Sequence, residues 1–252
     1  MTSLTKIAAL LAATLAAAVA MPGASGPPGP PAWAAEPMAQ AWQGRPLVIL
    51  AFGDSLTHGY GLPAGATFPE RLQAELLARG YRVRVINGGN SGDTTAGGRA
   101  RLAWALADRP DLVLLELGAN DALRGLDPAV TYENLDAILN RLEREGLAVL
   151  FTGMRAPLNM GRNYGAAFEA VFARLAAEHG VPFYPFFLEG VAMVPALNQA
   201  DGIHPNASGV GEIVKRIAPR VIRLLRGLIE PGQESAVIPA PGPPRPWLAT
   251  HG

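Results

Sequence analysis

The chain has 252 residues, 49% of them hydrophobic, and its 21 basic and 21 acidic side chains cancel. A balanced charge without a basic tract argues against nucleic acid or anionic membrane as partner and favours a small-molecule or lipid-like substrate. Cysteine is absent, so no disulfide framework is available and a hydrophobic core must hold the fold.

In chain order, residues 1–34 come first: one basic residue, Lys6, an uncharged run from Ile7 to Ala20, then Ala32-Trp33-Ala34 before Ala35-Glu36. That is the pattern of a secretory leader cut after Ala34, with Ala18-Val19-Ala20 as a second cut site. It implies an exported, periplasmic or secreted protein with no stable membrane span once the leader is gone. Residues 35–44 read as a linker, 45–228 as one domain, and 229–252 as a Pro-rich tail.

Within the domain, apolar runs of strand length recur at Leu47 to Phe52, Val83 to Ile86, Leu112 to Leu117, Ala148 to Thr152 and Phe183 to Phe187. Most are continuously apolar, as strands covered on both faces of a parallel sheet must be. Helical periodicity fills the gaps. Pro69 to Arg79 carries Leu72, Leu76 and Leu77 and stops at Gly80; Thr131 to Glu145 stops at Gly146; Phe168 to His179 stops at Gly180. Thr95 to Asp108 and Ser208 to Arg226 complete the set, with Pro219 expected to kink or split the last. Strict alternation predicts right-handed crossovers and an α/β, doubly wound, mostly parallel five-stranded sheet, with its site at the carboxyl ends of the strands.

The chemistry-bearing residues fall on that rim. Ser55 follows the first strand, Gly92 the second and Asn120 the third, while Asp201 and His204 precede the final helix. A serine hydroxyl needs a base, and the base needs an orienting partner. Of four histidines, His179 ends a helix, where a cation suits the dipole, and His251 lies in the tail. His58 sits three residues after Ser55, either lining a pocket or simply exposed. His204 remains as the base, with Asp201 three residues earlier fixing its tautomer. Backbone N–H groups of Ser55 and Gly92 and the Asn120 amide are candidate oxyanion donors. Asp54 reads chiefly as a loop hydrogen-bonder and Asp93 as the cap of the next helix; Asp121 and Arg124 read as a local pair. Asp54, His58, Arg155, Leu158, Asn159, Met160 and Tyr164 are the candidates for the substrate side. No metal-ligand cluster is apparent and no cofactor is implied.

Gly53-Asp54-Ser55-Leu56, Gly92, Gly118-Ala119-Asn120-Asp121 and Asp201-Gly202-Ile203-His204-Pro205 resemble the four ordered blocks of the GDSL or SGNH hydrolases. The stretch from Leu47 to Arg226 is similar to their thioesterase I, arylesterase and lysophospholipase branch, with Ala119 departing from the glycine often found there. The resemblance implies a flavodoxin-like three-layer sandwich, no metal, and a serine acyl-enzyme acting on esters, thioesters or lysolipids. Separately from it, a monomer is expected. Two rivals stand beside it. A carbohydrate O-acetyl esterase uses a related fold, and a non-catalytic flavodoxin-like binding module shares the sheet order. A receiver's strand-end lysine is missing, since Lys215 lies within the last helix. A Walker loop, His-Glu-x-x-His and the Gly-x-Ser-x-Gly elbow are also absent.

Overall fold

The computed structural model describes residues 45–229; the expected leader and linker, His251 and all of the expected tail beyond Ile229 lie outside them. Five strands, β1 (Leu47–Gly53), β2 (Val83–Gly89), β3 (Leu112–Glu116), β4 (Ala148–Thr152) and β5 (Phe183–Tyr184), form one sheet in the order 2-1-3-4-5. Every pairing is parallel. β3 is central and every one of its residues is buried, which is why it reads as an almost unbroken apolar run.

The helices are α1 (Ser55–His58), α2 (Phe68–Ala78), α3 (Thr95–Ala105), α4 (Ala119–Leu123), α5 (Pro128–Arg144), α6 (Arg162–Glu178) and α7 (Ala207–Ile229). α2 and α7 pack together on one side, and α3, α5 and α6 form a second group, giving three layers. α7 buries Val210, Ile213, Val214, Ile217, Ala218, Val221, Ile222 and Leu225 along one stripe. Gly80, Gly146 and Gly180, the predicted helix stops, all have positive φ, a conformation that costs a side chain but not glycine.

The differences from expectation have local causes. α7 is not split at Pro219 but runs on as one helix to Ile229. The carbonyl of Lys215, which loses its partner there, belongs to an exposed residue that water reaches. Leu77 is half exposed and adds nothing to the core. α6 begins six residues before its apolar period, because its first turns face solvent and are anchored by Tyr164, stacked on Phe168 and donating to the Leu126 carbonyl at 2.8 Å. α5 starts at Pro128 behind Asp127, whose carboxylate accepts from the Ala129 amide. β5 ends at Tyr184 because Pro185 has no N–H for the ladder. β2 instead continues through Asn87-Gly88-Gly89, paired with Ala51-Phe52-Gly53. A β-carbon at Gly89 would collide with the backbone of Thr57 and His58, so β2 runs three residues past its apolar run and ends under α1.

Candidate active site

Ser55 opens α1 directly beyond β1, with Asp54 as the N-cap: the Leu56 amide donates to Asp54 Oδ1 at 3.0 Å. The loop before α7 approaches from the other direction. His204 Nε2 lies 2.9 Å from Ser55 Oγ, and His204 Nδ1 lies 2.7 Å from Asp201 Oδ2. The remaining Asp201 oxygen accepts from the Ile203 and His204 amides at 2.9 and 3.0 Å. Partial burial alone would raise this carboxyl, but the His204 amide, the His204 ring and the Ile203 amide outweigh it and lower it to about 2. A charged carboxylate, an imidazole and a hydroxyl thus form one hydrogen-bonded line, able to move a proton off the serine and hold the cation that results.

Three side chains that the sequence did not flag surround this line. Gln199 donates from Nε2 to the Tyr60 carbonyl at 2.7 Å and to the Pro205 carbonyl at 3.0 Å, and its own amide donates to the His204 carbonyl at 2.7 Å. It therefore joins the segment after α1 to the histidine loop. The Tyr60 ring sits 4.7 Å from the His204 ring, centroid to centroid. Arg101 binds the carbonyls of Gly53 and Gly88, both at 2.8 Å, stacks on Phe52, and pairs with Asp93 at 2.5 Å. In the sequence Arg101 is one of many arginines on a helix; only the fold brings it to two strand ends.

The donor groups differ among themselves. Gly92 has φ +85, and no residue among those described accepts from its N–H. The Ser55 N–H, at the first position of a helix, has no intrahelical acceptor. Asn120 is already engaged: Nδ2 donates to Asp54 Oδ2 at 3.2 Å and to the Asp93 carbonyl at 2.9 Å. Asp54 is therefore wholly buried and faces Asn120 and Leu56, which removes it from the substrate-side candidates and leaves the hydrogen-bonder reading.

Beneath the serine lies Glu116, at the end of β3, also wholly buried. Its Oε2 accepts from the Thr57 hydroxyl at 2.7 Å and the Asp54 amide at 3.3 Å. Burial first, and then the neighbouring Asp54 charge, push Glu116 well above the usual carboxylate range. Burial likewise raises Asp54, to about 7, against its hydrogen bonds to Leu56 and Asn120. The Asp54 charge disfavours a second charge on Glu116, so the titration of one depends on the other. An acid at the end of a run otherwise apolar was the available signal for Glu116.

Asp93 does not cap α3; Thr94 does, accepting from the Gly97 amide, while Asp93 is taken by Arg101 and Asn90. Asp121 and Arg124 do not pair. Asp121 is buried and accepts from Thr95 and Thr131, whereas Arg124 donates to the Gly92 carbonyl at 2.8 Å and braces that loop. On the expected substrate side, His58 is exposed with Nδ1 3.3 Å from the Gly89 carbonyl. Arg155 pairs loosely with Glu169 and stacks on Phe186. Leu158 is 63% exposed, Asn159 is exposed and Met160 half-buried. None of these four loop residues bonds to Ser55, Asp201 or His204. Among the described residues no group of three or more His, Asp or Glu side chains could hold a metal, and no helix is long and apolar enough to cross a membrane.

The sequence pattern of the GDSL-like lipase/acylhydrolase family matches residues 51–210. The chain is 40% identical over 184 residues to the esterase TesA of Pseudomonas aeruginosa, covering 73% of this chain and 92% of that one. It is 42% identical over 159 residues to the thioesterase 1/protease 1/lysophospholipase L1 of Escherichia coli, covering 63% and 75%. Among solved structures it is similar to AlinE4, an SGNH-hydrolase family esterase, with TM-score 0.61 and 45% identity over 72% of this chain and 98% of that one.

Proposed function

The chain belongs to the GDSL-like lipase/acylhydrolase family and is a serine ester hydrolase; on that premise we propose that Ser55 is its nucleophile, His204 its general base and Asp201 the group that orients the base. The observation that carries this is the unbroken hydrogen-bonded line from Asp201 through His204 to Ser55. As Ser55 Oγ bonds to the substrate carbonyl carbon, its proton passes to His204 Nε2. The carbonyl electron pair moves onto oxygen, where the N–H groups of Ser55 and Gly92 receive it, joined by the Asn120 amide as it releases one present partner. Collapse breaks the bond to the leaving alcohol or thiol, which takes the proton from His204. Water then attacks acyl-Ser55 by the same proton path, freeing the acid and restoring the serine.

The substrates are carboxylic esters and thioesters of medium to long acyl chains, lysolipids among them. Support comes from the thioesterase and lysophospholipase names of a relative and from apolar surface at Tyr60, Leu158 and Met160. Each buried methylene is worth about 0.8 kcal/mol, so rates on p-nitrophenyl esters should climb several-fold per two carbons from acetyl upward until the groove is full. Acyl thioesters should react as well. A strict preference for acetyl groups on sugars would overturn this substrate assignment. The leader over residues 1–34 makes the enzyme an exported one, acting as a monomer; an immunoblot of periplasm and medium finding only uncut chain in the cytoplasm would contradict that.

A further inference from the structure

Glu116 Oε1 is buried and has no hydrogen-bond partner, alone in this respect among the described side chains. The two groups that donate to its other oxygen belong to the turn that carries Ser55, namely the Asp54 backbone amide and the Thr57 hydroxyl. The fit is close, for a β-carbon on Gly53 would collide with Glu116 Oε2 and Thr57 Oγ1 together. The charged groups around it are few. Asp54 faces it from the end of β1; Asp121 of α4 and His204 face Asp54 in turn; Arg101 of α3 reaches the Gly53 carbonyl but pairs with Asp93. An ionised carboxylate here would have half its acceptor sites empty, an anion beside it and no cation against it. As a neutral acid it still accepts both bonds through Oε2, and the group left unmatched is an uncharged Oε1 hydroxyl instead of part of an anion, which costs less to bury.

We propose that Glu116 is a positioning residue: in its neutral form it seats the turn from Gly53 to Thr57, leaves the pair's single negative charge on Asp54 to hold Asn120, and by ionising sets the alkaline limit of turnover. This rests on reading Ser55 as the nucleophile. Once Glu116 ionises, two carboxylates meet in the interior with nothing between them. Their repulsion pushes Asp54 and its neighbour Ser55 away from β3, lengthening the contact to His204 Nε2, so kcat falls while the acyl surface, and with it KM, is untouched. The burial and Asp54 effects that raise this carboxyl accord with that state.

The test compares kcat and KM of the full-length wild type, Glu116→Gln and Glu116→Ala on one p-nitrophenyl ester from mildly acid to strongly alkaline pH. Glu116→Gln, which cannot ionise, should keep kcat within about threefold at neutral pH and lose the alkaline decline of the wild type. Glu116→Ala strands the Asp54 and Thr57 donors and should lower kcat roughly tenfold at unchanged KM. If the alanine variant does not fold, the glutamine profile decides alone. An alkaline limb absent from the wild type, one unchanged in Glu116→Gln, or a glutamine variant as slow as the alanine one would overturn the proposal. Infrared spectra of Ser55→Ala with and without Glu116→Gln give a readout independent of turnover: the C=O band of a protonated carboxyl should vanish with the glutamine. That band present in a Ser55→Ala protein that still hydrolyses the ester would sink the nucleophile assignment and leave the Glu116 state standing.

Discussion

The two ends of the candidate proton line are built on opposite principles. At the nucleophile end, Asp54 and Glu116 are wholly buried and both are pushed upward by burial. At the base end, Asp201 lies near the surface and three hydrogen-bond donors lower it to about 2. The contrast follows from position in the fold: Ser55 opens a short helix seated on the end of an interior strand, whereas His204 sits on a loop that short-range backbone amides can organise by themselves. Geometry at one end therefore comes from packing, and at the other from local hydrogen bonds that tolerate solvent.

The largest effect comes from breaking the line between the two ends. Ser55→Ala or His204→Ala should each lower kcat by about 10⁴-fold or more, with the double variant hardly worse, because the members act as a unit. Folding should be retained, as judged by circular dichroism. Normal turnover by Ser55→Ala would remove the nucleophile from the account.

Next in size is the base end by itself. Asp201→Asn keeps the volume but takes away the charge that stabilises the imidazolium, and kcat should fall by up to about 10⁴-fold in steady-state assays, approaching the first pair. Asn120→Ala acts at the nucleophile end and should cost roughly 10²-fold in kcat with little change in KM. A raised KM with kcat intact would make Asn120 a binding residue.

The smallest effect, and the sharpest on the contrast itself, is the pH dependence of stability. Asp54 and Glu116 are raised in the folded protein, so from about pH 4, where an unfolded carboxyl ionises, the folded chain keeps protons that the unfolded one releases. Stability from this pair is full below that point and is lost as pH rises, for Asp54 through about 7. Asp201 is lowered, so its contribution is full above about pH 4 and is lost as pH falls toward 2, and solvent screening keeps it modest. Thermal unfolding from acid to alkaline pH should then show Glu116→Gln flattening the decline in Tm as pH rises above about 4 and Asp201→Asn flattening the decline as pH falls below it. The reverse pattern would contradict the assignment of the two ends.

The fold was legible because a buried parallel strand and a glycine-stopped helix each leave local marks; β1, β3, β4 and the stops at Gly80, Gly146 and Gly180 were read from neighbours in sequence. Ser55, Asp201 and His204 were legible for the same reason, each lying beside a strand end or within one tight turn. What stayed hidden depends on contacts across the chain. Glu116 lies 62 residues from Asp54, and Gln199 lies 139 from Tyr60. Arg124, read as a neighbour's partner, braces a loop 32 residues away. Asp93 was misread because Thr94 beside it makes an equally good cap and Arg101 claims the aspartate.

The central claim, that Ser55 carries the acyl group, is tested most directly by trapping it. Wild-type enzyme and Ser55→Ala would be mixed with a slowly deacylating p-nitrophenyl ester, acid-quenched within one turnover, digested and examined by mass spectrometry. The account predicts a single acyl mass increment on the peptide containing Ser55 in the wild type and none in the variant. An increment on any other residue, or its persistence in Ser55→Ala, would contradict it.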